Sequence, residues 1–319
     1  MRQPGHAEGR PGRARGARAA QAPAAHARPH HGRKLLVNAA RAVIGLCAAA
    51  LLLSGCAAIR IVYDNAGAFL RWKAHGYVEL AGEEAEALDD AIEGFHAWHR
   101  ANQLPKYAAH AREAARRGED GLSQEDLVWG YDSLVAHAEE SLRAAAQRVA
   151  PLLDRVGPGQ LRYIERGFAE DNRKFAKENL RGGEEERRAR RVKRTVERLE
   201  DWVGRLSGAQ RSRVEQFAER LPPQHDALRD ADRRRLQAGF IEIVRSRQAS
   251  ERLAAFAAGW RKGRAAEYDA AAELFRREFF AMLLDIDRTL TPEQRARAVA
   301  RLRAYADDFS ALADKRASQ

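Results

Sequence analysis

Cysteine is nearly missing from this chain: there are two in 319 residues. They stand at Cys47 and Cys56. From Ala57 onward there is none, so the body has no disulfide framework, no thiol nucleophile and no cysteine metal ligand. No apolar run reaches the roughly 20 residues needed to cross a bilayer. No segment alternates apolar and polar residues over a convincing strand length. Also missing are a Gly-rich phosphate loop, a Gly-x-Ser-x-Gly elbow and a Ser-x-x-Lys pair. With no catalytic motif in view, the chain reads as non-enzymatic and its body as free of a cofactor.

Excess charge is missing too, once the start of the chain is set apart. The formal net charge is +11, but nine of the 56 Lys/Arg and one of the 45 Asp/Glu lie in residues 1–55. The remaining 264 residues carry 47 basic and 44 acidic side chains, a net of +3. That balance argues against a bulk polyanion binder, so nucleic acid is not an expected partner.

What is present begins with Leu53-Ser54-Gly55-Cys56. Arg33, Lys34 and Arg41 precede an apolar run from Ala42 to Leu53, and small residues close it. Basic, then apolar, then small is the order of a secretory signal. The Leu-Ser-Gly-Cys ending resembles a bacterial lipobox. The resemblance implies a signal peptide over 33–55, a diacylglycerol and an N-acyl chain on Cys56, and a tether over 56–62. One acyl chain anchors weakly, and two or more anchor firmly. Lipoproteins retained in the inner membrane commonly carry Asp just after the Cys. Ala57 and Ala58 stand here instead, which implies the outer membrane with the body facing the periplasm. Residues 1–32 are rich in Arg, Ala, Pro, Gly and His without periodicity. They read as disordered or as a start assigned too early.

Residues 63–319 read as helix nearly throughout. Apolar residues recur at three- and four-residue spacings. Leu88, Ile92, Phe95 and Trp98 share one face. Leu127, Tyr131, Leu134 or Val135, Ala138 and Leu142 make a second. Val192, Val196, Leu199, Trp202 or Val203 and Leu206 make a third, and Phe275, Phe279, Met282 or Leu283, Ile286 and Leu290 a fourth. Val299, Leu302, Ala306 and Phe309 make a fifth. Five stripes must bury one another, so the expected fold is all-α, a multi-helix bundle or stacked helical hairpins with no sheet. Eight to ten helices are expected from the breaks. These fall at Leu104-Pro105, Gly118 to Gly121, Pro151, Gly157 to Gly159, Gly182-Gly183, Pro222-Pro223, Gly263 and Thr289 to Pro292. A hinge between two subdomains is expected near 181–183.

Three start signals recur. Leu290-Thr291-Pro292-Glu293-Gln294 has a capping Thr, a Pro at the first helical position and a Gln that can bond back to the cap. Leu206-Ser207-Gly208-Ala209-Gln210 repeats the form, and Leu122-Ser123-Gln124-Glu125-Asp126 varies it. The first also resembles the Leu-Thr-Pro-x-Gln motif of Spy-like periplasmic chaperones, which implies a client-binding alternative.

Candidate chemistry is sparse. Glu93 and His96 stand at i, i+3 and His99 follows, so these three are candidate metal ligands. Paired His near Phe and Trp more often serve as hydrogen-bonded interfacial side chains. Glu184 to Arg198 is a charge run whose ordinary role is a solvated helix face. Its Arg187, Arg190, Arg191 and Arg194 are candidates for contact with anionic headgroups or lipopolysaccharide phosphates. Trp72, Tyr77, Trp98, Tyr107 and Trp129 read as core.

Several segments together resemble a proteobacterial outer-membrane lipoprotein family catalogued as a domain of unknown function. They are the lipobox, Ile61 to Asn65, Trp72 to Val78, Trp98 to Ala108, Phe168 to Phe175, Glu200-Asp201-Trp202 and Leu290 to Phe309. The resemblance implies a lipid-anchored helical body and little else, and it carries over no catalytic residue. The role expected for such a body is to bind an envelope protein or lipopolysaccharide.

Overall fold

Helix starts in this chain are written in short side chains. Ser123 Oγ accepts from Asp126 N at 3.1 Å, Ser207 Oγ from Gln210 N at 3.2 Å and Thr291 Oγ1 from Gln294 N at 3.2 Å. In each case the third helical residue bonds back to the cap N–H. All three expected start signals are therefore reciprocal capping boxes, which satisfy two otherwise orphaned donors each.

The computed structural model of the protein describes residues 55–77 and 80–315. Within them run twelve α-helices and no strand. They are α1 Gly55–Asp64, α2 Ala66–His75, α3 Glu83–Asn102, α4 Leu104–Arg117, α5 Gln124–Leu153 and α6 Pro158–Phe175. A π-helical turn, Ala176–Leu180, extends α6. Then come α7 Glu184–Val203, α8 Gly208–Arg220, α9 His225–Arg245, α10 Ala249–Ala258, α11 Ala266–Asp287 and α12 Pro292–Asp314. The expected signal segment, with Leu53 and Ser54, lies outside the described residues, as do residues 1–32.

Three apolar cores organise the described body, the smallest joining Leu88 and Ile92 of α3 to Leu152 of α5. In the first, Ala146, Ala150 and Leu153 of α5 meet Ile164 of α6, Val244 of α9 and Leu253 of α10. In the second, Val196 and Val203 of α7 meet Val214 and Phe217 of α8 and Met282 and Ile286 of α11. The third and fourth sequence stripes thus bury one another, as amphipathic helices must. α12 lies along α4, and α10 along α5.

Four expectations change. Twelve helices replace eight to ten, partly because breaks occur without a Gly or Pro signal. Arg247 takes a left-handed φ of 55° between α9 and α10, and Asn65 separates α1 from α2. Pro151 does not divide the middle but sits in the last turn of α5. There it removes one backbone bond, while the buried Leu152 and Leu153 hold the turn in place. The second stripe is largely uncovered, with Leu134, Ala138 and Leu142 exposed. α5 has 30 residues, about 45 Å of helix, and its buried residues begin only at Ala144. Residues 56–62, expected as a tether, are helical within α1, and α1 packs on α12.

Candidate functional site

α1 is fastened to the body by charge. Arg60 Nε donates to Asp308 Oδ1 at 2.6 Å, and Asp308 is fully buried. Asp64 takes Lys315 at 2.5 Å and Arg100 at 3.3 Å. The Lys315 bond leads the causes that hold the Asp64 carboxyl below its usual pKa. Cys56 lies on the backbone of this helix.

Next to it the two candidate metal-binding histidines meet tyrosines. Tyr63 Oη bonds His99 Nδ1 at 3.0 Å, and Tyr107 Oη bonds His99 Nε2 at 3.3 Å. His96 Nε2 lies 3.1 Å from the Tyr63 carbonyl oxygen. Burial, helped by His96, pushes the His99 pKa down to about 4, and burial raises Tyr63 to about 12. A neutral His99 imidazole bonded by two tyrosine hydroxyls is the stable state of this cluster. Glu93 is exposed, and no group of three or more His, Cys, Asp or Glu among the described residues gathers as a metal site. The aromatic set is also less uniform than expected. Trp129 stacks on His110 at 4.5 Å, whereas Trp72 is 69% exposed.

The four arginines of the charge run divide. Arg187 donates to the Gly182 carbonyl at 2.7 Å and Arg190 to the Arg181 carbonyl. Both tie the turn before α7 to its first helical turns. Arg191 and Arg194 instead face a cavity of about 840 Å³. Arg191 pairs with Asp226 at 2.9 Å, and Arg194 donates to Asn179 Oδ1 at 3.1 Å.

The cavity is built from helix faces. α7 contributes Arg191, Arg194 and Arg198, and further along the same helix Leu199 and Trp202. α11 contributes Phe275, Phe279, Leu283 and Ile286, spaced four, four and three apart and so on one face. α8, α12 and the start of α9 supply further walls, and Ala114 of α4, Leu122, Phe175 of α6 and Asn179 of the π-helical turn complete them. His225, at the first position of α9, is 7% exposed and stacks on Phe275 at 5.1 Å. Burial leads the causes that depress its pKa, so the ring is neutral at pH 7. Its Nδ1 has no hydrogen-bond partner.

Sequence reading did not single out His225, Arg198 or Arg229. Their convergence depends on the tertiary approach of α7 to the start of α9, where Arg191 pairs with Asp226, which no local pattern encodes. One signal was there to find: α7 changes from guanidinium to apolar along one face, between Arg198 and Leu199.

A family model described as a family of unknown function (DUF6279) matches residues 76–258. No curated protein and no solved structure matches the chain.

Proposed function

We propose, for a chain that belongs to the DUF6279 family of unknown function, the role of a lipid-anchored, non-enzymatic envelope protein that faces the periplasm from the outer membrane and binds a partner there. One observation carries this reading. Among the described residues, six large apolar side chains are exposed, and four of them are Ile61, Val62, Phe69 and Trp72. They occupy α1 and α2, directly after Cys56. Phe and Trp favour the membrane interface, where the ring meets hydrocarbon and headgroups together. Arg71 and Lys73 on α2 would meet anionic headgroups there. Because Arg60 and Asp308 clamp α1 to α12, acyl chains on Cys56 would hold the body against the membrane.

The client-binding alternative has less support. An unfolded client needs an open apolar face, and here the apolar lining beside α7 is walled by seven helices. The Gln residues of the Leu-Thr-Pro-x-Gln and Leu-Ser-Gly-Ala-Gln segments are occupied in capping.

Mass spectrometry of the natural product tests the anchor. The expected result is Cys56 as the first residue, carrying a diacylglycerol and an amide-linked acyl chain. A bare Cys56, or a leader still attached, would overturn the reading. A second measurement addresses the patch. The full chain with Cys56→Ser should still float weakly with phosphatidylethanolamine–phosphatidylglycerol vesicles, and adding Phe69→Glu and Trp72→Glu should abolish this.

A further inference from the structure

The cavity beside α7 has two chemically distinct ends, and its charges do not cancel. Two of its arginines are neutralised: Arg191 by Asp226 at 2.9 Å and Arg295 by Asp287 at 2.9 Å. Among the described residues, three others that line it have no carboxylate partner at ion-pair distance. Arg194 bonds the neutral Asn179 amide. Arg229 lies over the Phe175 ring, 5.3 Å from its centroid. Arg198 makes no ion pair among the described residues. Glu178 is the one remaining carboxylate in the lining, so the polar end keeps a positive excess. A cluster of like charges is unfavourable unless an anion joins it.

His225 supplies an independent sign of an absent group. It is nine-tenths buried, it lines this cavity, and its Nδ1 finds no partner in the protein. Buried polar atoms are nearly always satisfied, so an orphan beside a cavity is a place for a water or a ligand atom to bond. Beyond Arg198 the walls are mainly apolar, their polar groups being the Trp202 indole and the mutually paired Arg295 and Asp287. Leu199, Trp202, Phe217, Phe279 and Leu283 line that end. From Arg191 to Val203 the wall runs about 18 Å along α7. The volume of about 840 Å³ lies within the roughly 300–1,000 Å³ of small-molecule pockets.

We infer that this cavity binds an amphiphile with a single acyl chain and an anionic head, the carboxylate of a fatty acid being the commonest such chemistry. The chain lies along Phe279 and Leu283. The head sits among Arg194, Arg198 and Arg229, where a guanidinium can meet two oxygens of one anion, and His225 Nδ1 meets the ligand between the two ends. A sugar or nucleotide would leave its polar groups unpaired against the apolar walls. A cationic amphiphile would meet the arginines with like charge. The assignment is independent of whether Cys56 is acylated, because α1, which carries Cys56, contributes no residue to the cavity lining.

Isothermal titration of the full chain carrying Cys56→Ser, delipidated and in detergent-free buffer, tests it. Laurate, myristate and palmitate should bind at one per chain, with affinity rising about fourfold per methylene. Hexadecanol, with a neutral head, should bind at least tenfold more weakly than palmitate. Arg198→Gln together with Arg229→Gln, both at exposed positions, should lower palmitate affinity at least tenfold and leave hexadecanol unchanged. Leu283→Trp should fill the apolar end and abolish binding of both. Lysophosphatidylglycerol distinguishes a phospholipid source from a free acid, since whichever anion binds tighter names the head. Equal affinity for palmitate and hexadecanol, affinity independent of chain length, or no binding by a chain whose helicity is intact would overturn the inference.

Discussion

Gln210 and Gln294 hold each other across the starts of α8 and α12. Gln210 Nε2 donates to Gln294 Oε1 at 3.0 Å, and Gln294 Nε2 reaches Gln210 Oε1 at 3.3 Å. The surroundings are matched. Gln210 Nε2 also donates to the Thr289 carbonyl at 3.0 Å, and Gln294 Nε2 to the Arg205 carbonyl at 2.9 Å. Each carbonyl belongs to the residue two before the other helix's cap. Each Oε1 also accepts its own cap N–H. The two repeated sequence segments therefore form a closed amide pair in which every donor and acceptor is used.

Removing either amide orphans groups on both helices. Gln210 is 1% exposed, so Gln210→Ala should cost about 1–3 kcal/mol in urea unfolding. Gln210→Glu keeps the cap acceptor but loses both side-chain donations, and should cost no less. The double variant Gln210→Ala, Gln294→Ala should be less harmful than the sum of the singles by about 0.5–3 kcal/mol. Simple additivity would mean the two amides act separately.

Arg60 and Asp308 make an asymmetric pair. Arg60 keeps part of its hydration, with its side chain 42% exposed, while Asp308 is buried. Arg60→Ala leaves a carboxylate alone in the interior and should cost about 3–5 kcal/mol. Adding Asp308→Asn should recover much of this by removing the charge. Hydrogen exchange within α1 should accelerate in Arg60→Ala and slow again in the double variant. Equal exchange in all three would show that α1 is held by other contacts.

Buried histidines set an acid limit. His99, His110, His137 and His225 all have depressed pKa values, with burial the leading cause. The unfolded chain binds protons near 6.5, and folded His99 only near 4. The folded state therefore resists protonation, and its stability should fall as pH drops from about 6.5 toward 4. Urea midpoints at stepped pH should show this decline. His99→Gln should flatten the slope in that window, and an unchanged slope would exclude His99 as a source.

Gly239 lies against an aromatic ring. A Cβ placed there would come within 2.7 Å of Phe256 Cε2. In an open helix, Gly→Ala stabilises by about 0.5–1 kcal/mol. Here Gly239→Ala should instead destabilise by about 1–3 kcal/mol through overpacking between α9 and α10. Phe256→Leu in the same chain should relieve part of that cost, as read by thermal unfolding.

Helix starts and the fourth apolar stripe were legible before any coordinates. A capping box needs only Thr291, Pro292 and Gln294, and Phe275, Phe279 and Ile286 declare one face by spacing. Such features depend on residues a few positions apart, where chain connectivity leaves little choice of neighbour. The exposed face of Trp72, the burial of His225 and the pairing of Gln210 with Gln294 could not be read that way. Each depends on which helix packs against which. A stripe announces that a face needs covering, not what covers it. Arg187 and Arg190 turned back to backbone carbonyls while Arg191 and Arg194 turned to a cavity, although all four stand on one helix. All four fall within an arc of about 100° on that helix, so rotation does not separate them. The placement of the neighbouring segments, the 181–183 turn for the first pair and Asn179 and Asp226 for the second, gives each its chemistry.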